Sequence, residues 1–135
     1  MNVLAIGAHF DDIELGCGGS VVKHVKNKDN VYMYVLTNSG YEDYDGTIMR
    51  TKDVALEEGR NAASILGVDL ICEGLKTKEL RYSVDLIERI NKIIDDLNID
   101  LVYTHWVHDV HQDHSSVGRA TLNAARHVPR ILMYR

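Results

Sequence analysis

The sequence is poor in several things at once. Two cysteines, Cys17 and Cys72, stand in 135 residues. That is too few for a disulfide framework, so a stapled secreted scaffold is excluded and a reducing cytoplasm is the expected compartment. There is no surplus of basic charge: the net charge is -5 with histidine neutral. A chain without cations to neutralise phosphates is not expected to bind nucleic acid or an anionic membrane surface. No apolar run approaches the length that spans a bilayer. The opening residues, Met1 to Asp12, carry no basic flank, and acids follow the apolar stretch at once, as a buried strand would have them and a signal peptide would not. No internal repeat, low-complexity tract or linker interrupts the chain, and its length suits one domain spanning residues 1–135.

What is present is an alternation of short apolar runs with helical periodicity. Strands are predicted at Asn2 to Ala8, Val31 to Leu36, Val68 to Cys72, Asp100 to Thr104 and Ile131 to Tyr134. A helix is predicted from Leu15 to about Asn27, with Leu15, Val22 and Val25 inward. A second runs from about Thr47 to Leu66, stopped by Gly67. Ser83 is read as the N-cap of a third, bearing Val84, Ile87, Ile90, Ile94 and Leu97. A fourth covers Ser116 to Arg126, and Glu73 to Arg81 reads as a solvated connection. Strand and helix in strict alternation predict an α/β fold, a three-layer Rossmann-like sandwich with a mostly parallel sheet. The chain stops on a strand with no helix to cover it. It is therefore expected to lack a C-terminal part or to pair with a partner, such as a second copy in a homo-oligomer.

Chemistry concentrates at two strand ends, where ligands of open α/β sheets bind. After the first strand comes His9-Phe10-Asp11-Asp12. After the predicted Asp100 to Thr104 strand come His105, His108, His111, Asp113 and His114. Zinc prefers imidazole and carboxylate donors, and catalytic sites use three of them with one position open to water. His9 and Asp12 are three residues apart, as are His111 and His114, so one pair from each loop can converge on a single ion. Asp11, beside a ligating Asp12, is free to take a proton from an activated water; it is equally suited to be a helix N-terminal acid. The Gly16-Cys17-Gly18-Gly19 run lacks phosphate-loop spacing and fits close helix packing. Trp106 is a candidate platform for a sugar ring or a loop anchor.

These residues resemble the LmbE-like (PIG-L) family of zinc-dependent deacetylases. The family's A-H-P-D-D motif is met by Ala8-His9-Phe10-Asp11-Asp12, and its D-x-H-P-D-H motif by Asp109-Val110-His111-Gln112-Asp113-His114. Glu58 to Val68 resembles the family's E-x-x-x-A-A-x-x-L-G-V helix end. The resemblance implies that His9, Asp12 and His114 hold Zn2+, that Asp11 is the general base, and that His111, as imidazolium, faces the oxyanion. It implies removal of an N-acetyl group from a small amino-sugar or glycoconjugate substrate. An amidase on a thiol or glycan conjugate, and a non-catalytic metal-binding module, are the neighbouring readings. Phe10 and Gln112 replace two family prolines. Ala55 and Ser115 stand where the family often has arginine, a role left to Arg50, Arg60 or Arg119; Arg50 and the sugar-platform candidate Trp106 are taken as the candidate substrate contacts.

Overall fold

A computed structural model describes residues 1–135. Five parallel strands form the main sheet: β1 (Asn2–Gly7), β2 (Asn30–Thr37), β5 (Asp69–Leu75), β6 (Leu101–His105) and β7 (Arg130–Tyr134), in the order β5-β2-β1-β6-β7. The remaining two strands, β3 (Tyr41–Glu42) and β4 (Ile48–Arg50), pair as a small antiparallel hairpin. Four helices complete the chain: α1 (Asp12–Lys26), α2 (Lys52–Leu66), α3 (Val84–Asp96) and α4 (Gln112–Ala124).

Alternate residues of β1 point to opposite faces, as the pleat requires. Val3 and Ala5 join Ile13, Cys17 and Val21 of α1 and Ala55 and Ala63 of α2 in one buried cluster. Leu4 and Ile6 join Leu86, Ile90 and Ile94 of α3 and Val117, Ala120 and Ala124 of α4 in the other. The predicted sandwich of helix, sheet and helix is therefore the observed one.

The chain lays β2 and β5 to one side of β1, then crosses to place β6 and β7 on the other. The sheet order thus reverses between β1 and β6. The loops leaving these two neighbouring strands diverge to opposite faces and leave a crevice between them. The two histidine-rich loops leave from there.

Local signals account for the helix ends. Thr51 and Ser83 accept from the backbone N–H groups of Val54 and Leu86, satisfying donors that a helix start leaves bare. Gly67 ends α2 in the left-handed region at φ 73°.

Four local expectations are corrected. Helix α2 begins at Lys52, and residues 48–50 of its predicted first turn are strand β4. On α1 the inward stripe is Ile13, Cys17 and Val21, while Leu15 is 86% exposed. The stripe recurs every four residues from Ile13 through Cys17 and Val21 to the partly buried Val25, and Leu15 falls outside it. Val84 of α3 is likewise exposed and Leu86 buried. Helix α4 starts at Gln112, so Asp113 and His114 occupy its first turn.

Candidate active site

The loop after β1 is shaped before any ligand is considered. The hydroxyl of Thr37, at the end of β2, donates to the Ala8 carbonyl at 2.7 Å, and the Phe10 N–H donates to Ser39 Oγ at 2.8 Å. Phe10 is buried against α2, where a Cβ on Gly59 would fall 2.2 Å from its ring. Ring packing anchors this loop where proline stiffness does so in the motif it departs from. Asp11 sits at φ 100° as the N-cap of α1, yet its side chain makes no cap hydrogen bond. A non-glycine residue in this region is strained, and its carboxylate stays available for other work. Burial and the adjacent Asp12 raise the Asp11 pKa, with Arg50, His9 and His114 acting against them.

Each residue of the second motif has a visible partner. Asp109 accepts from the His111 N–H at 2.8 Å and lies 3.4 Å from His114 Nδ1. His111 is the N-cap of α4, its Nδ1 accepting from the Asp113 N–H at 3.1 Å. Asp113, fully buried, accepts from the N–H groups of Lys78 at 2.7 Å and Leu80 at 3.0 Å, and from His9 Nε2 at 2.8 Å. Gln112 donates to the Leu80 carbonyl, and Ser116 Oγ does so at 3.1 Å. The segment after β5 is thus pinned to α4, and its solvated reading is corrected. Leu80 is buried, and two backbone donors of this segment hold a carboxylate at the centre of the site.

These contacts settle which nitrogens face inward. His9 gives Nε2–H to Asp113 and His114 directs Nδ1 at Asp109, leaving His9 Nδ1 and His114 Nε2 pointing at each other, 3.2 Å apart. Carboxylate–histidine pairs of this kind orient ring ligands in metal sites. Asp12 lies beside both rings, one oxygen to each: Oδ2 is 3.4 Å from His9 Nδ1 and Oδ1 is 3.2 Å from His114 Nε2. Donors about 2.0–2.2 Å from one tetrahedral ion are separated by roughly 3.3–3.6 Å, so the three fit a shared divalent cation. Donors gather in threes twice around His114, with His9 and His111 and with Asp12 and His105.

The electrostatics of the cluster are set by its close imidazole–carboxylate pairs. Burial opposes charge at both His9 and Asp12. The ion pairing overrides it, raising His9 to about 9 and pushing Asp12 far below the usual carboxylate range. His114 is raised by Asp12 and Asp109 against the cost of burial. His111 is lowered, by burial first and then by His114 and His9.

The family resemblance gave no role to His105, though it stands in the histidine-rich cluster. It is 2% exposed, and its ring stacks on His114 with centroids 4.0 Å apart. Its Nε2 lies between the Ala8 N–H (3.0 Å) and Asp12 Oδ2 (3.1 Å), accepting from the first in one tautomer and donating to the second in the other. Its place as the last residue of a buried strand was the available signal. Of the candidate substrate contacts, Arg50 reaches the site. It lines a cavity of about 190 Å³ with His9, Asp11, Ser39, Tyr41, Thr77, Lys78 and His111. Its position on β4 rather than on a helix puts it there, and it pairs with Glu58. Trp106 lies outside this cavity: its ring packs against His108 and under the Arg135 guanidinium, 5.1 Å away.

Sequence comparison agrees with the fold and the motifs. The family model described as PIG-L, GlcNAc-PI de-N-acetylase, matches residues 4–125, and the chain belongs to that deacetylase family. Over 140 residues it is 39% identical to the protein described as "Uncharacterized deacetylase YaiS" of Escherichia coli (strain K12), covering 98% of this chain and 72% of that one. Among solved structures it superposes on the conserved protein TT1542 of Thermus thermophilus, with a TM-score of 0.84, 22% identity and coverage of 98% of this chain. It superposes on the N,N'-diacetylchitobiose deacetylase of Pyrococcus horikoshii with a TM-score of 0.83, 24% identity and coverage of 93%. The chain spans 64% and 49% of the lengths of these two solved chains.

Proposed function

We propose that this chain is a zinc-dependent hydrolase that removes the N-acetyl group of an amino-sugar derivative. The observation that carries this reading is the gathering of His9 Nδ1, His114 Nε2 and the Asp12 carboxylate, with neighbouring donors 3.2–3.4 Å apart, beside a cavity walled by Asp11, His111 and Arg50. Zinc held there would supply Lewis acidity toward the amide carbonyl and lower the pKa of water to about 7.

The protein's own groups do the rest. Asp11 takes a proton from the attacking water and passes it to the leaving amine, and its raised pKa suits a group that must hold a proton between those events. His111 gives a hydrogen bond to the oxyanion as the carbonyl carbon becomes tetrahedral. A positioned donor of this sort is worth about 3 kcal/mol. Because Nδ1 of His111 accepts the Asp113 N–H, the ring donates through Nε2 in its neutral form; protonating Nδ1 would break that cap. The imidazolium implied by the family resemblance would have to give up that cap. Arg50 faces the substrate from the hairpin side. The family description and the chitobiose deacetylase likeness favour an amino sugar, and the two free cysteines suit a reducing, cytoplasmic setting.

Two variants test the scheme on zinc-loaded protein. Asn tolerates the left-handed backbone that Asp11 adopts, so Asp11→Asn should fold, keep zinc by metal analysis, and lose about 10²- to 10⁴-fold in turnover. Asp12→Ala should lose the metal itself. Ordinary hydrolysis by Asp11→Asn would overturn the assignment of the base.

A further inference from the structure

Five non-glycine residues hold a positive φ: Asp11, Lys28, Ser39, Lys78 and Asn98. Three of them, Asp11, Ser39 and Lys78, line the same 190 Å³ cavity. Backbone strain persists only where the surrounding structure over-determines it, and it gathers at working sites. Two of the three have a visible use. Asp11 is turned away from capping α1, and Lys78 gives its N–H to Asp113. The use of Ser39, buried at φ 57°, lies in its hydroxyl.

The turn that carries Ser39 is fixed along its length. The Asn38 N–H donates to the Leu75 carbonyl at 2.8 Å, the Ser39 N–H to Thr37 Oγ1 at 3.2 Å, and the Gly40 N–H to Asn38 Oδ1 at 2.9 Å. A Cβ on Gly40 would fall 2.8 Å from the backbone nitrogen of Lys52, where α2 begins. Held this way, Ser39 presents Oγ to the Phe10 N–H at 2.8 Å. The Phe10 ring is held separately, against Gly59 of α2. The residue directly before Asp11 is thus anchored twice, by backbone and by side chain.

An aspartate at a helix N-cap ordinarily takes extended backbone, and its side chain accepts an N–H of the first turn. Asp11 does neither. It stands at φ 100°, its carboxylate caps nothing, and it lines the cavity instead. Nothing in Asp11 itself favours that state, since an L-residue there is strained. With Phe10 free to turn, Asp11 would relax into the cap and its carboxylate would leave the cavity.

We propose that Ser39 is the positioning residue of the base: by fixing the Phe10 N–H, its hydroxyl keeps the Asp11 carboxylate in the cavity and out of the cap of α1. The kinetic consequence rests on the hydrolase reading above; the backbone consequence does not.

Two variants of the full chain test it. Ser39→Gly accepts the positive φ and removes the hydroxyl. It also leaves room for a water from the cavity at the Phe10 N–H, so the chain should fold. Ser39→Cys is close in shape but a weak acceptor. Zinc-loaded, with N-acetylglucosamine or N,N'-diacetylchitobiose as substrate, both should keep their metal and KM. Ser39→Gly should lose about 10- to 100-fold in kcat, and Ser39→Cys about tenfold. In an Asp11→Asn background neither should lose anything further, because no base is left to misplace. A general loosening of the site would lower both backgrounds alike. That result would overturn the proposal, as would parent kcat in both folded variants. A second readout needs no turnover. In metal-free Ser39→Gly, the backbone chemical shifts and couplings of Asp11 should report an ordinary negative φ, and a retained positive φ would overturn the positioning role. Failure of the parent protein to hydrolyse either sugar would defeat the hydrolase reading alone, with the Asp11 backbone still deciding the role of Ser39.

Discussion

Replacing Asp113 with asparagine changes one oxygen to a nitrogen and should disturb the whole site. The carboxylate accepts three donors, from Lys78 N, Leu80 N and His9 Nε2, and has no exposed surface. An asparagine loses least by turning its amide nitrogen toward Leu80, leaving that buried N–H unpaired at a cost of about 1–3 kcal/mol. The two remaining bonds lose their charge assistance, about 0.5–1.5 kcal/mol each. Asp113→Asn should therefore destabilise the metal-free protein by roughly 3 kcal/mol, or about 10 °C in Tm for a chain of this size. His9 loses its orienting carboxylate as well, so zinc affinity should fall about 10- to 100-fold. Urea unfolding of metal-free protein and competition against a chromophoric chelator measure the two effects.

The pH dependence has a definite sign. Burial pushes the Asp113 carboxyl up, but His9 and the two N–H groups more than offset it, so its pKa is lowered on folding. Its contribution is fully present above the unfolded value near 3.9 and is lost as pH falls through the lower folded value. The variant should lack that acid-limb slope. A stability change below about 1 kcal/mol together with unchanged zinc affinity would refute the claim that Asp113 orients His9.

Two further perturbations isolate other links. A Cβ on Gly16 would lie 2.1 Å from the ring of Tyr134, whose hydroxyl donates to the Ile6 carbonyl at 2.6 Å. Gly16→Ala should thus cost about 1–3 kcal/mol in urea unfolding. Gly19→Ala, three residues along the same helix with nothing within 4 Å, should stabilise by about 0.5–1 kcal/mol. Equal effects at the two positions would refute the packing argument. Because His9 is raised to about 9 in the metal-free site, zinc binding near pH 7.5 should displace about one proton, and affinity should rise with pH toward 9. Calorimetry in buffers of different ionisation enthalpy counts that proton, and a count near zero would mean that His9 is already neutral.

The sequence alone determined the alternation of strands and helices, because burial on both sides of a parallel sheet leaves apolar runs and each helix leaves a 3.6-residue period. It determined the stop at Gly67 and the cap at Ser83, since these depend on neighbouring backbone only. It also carried both His/Asp motifs, whose residues are close along the chain. Tertiary structure decided the rest. Chain order does not fix strand order, so only the fold put β6 beside β1 and brought His9 within 3.2 Å of His114. The β3–β4 hairpin overrode helical periodicity at residues 48–50, and with it Arg50 entered the cavity. The Lys78 and Leu80 N–H groups joined the site through contacts spanning 33 to 35 residues, a range at which local pattern carries no information.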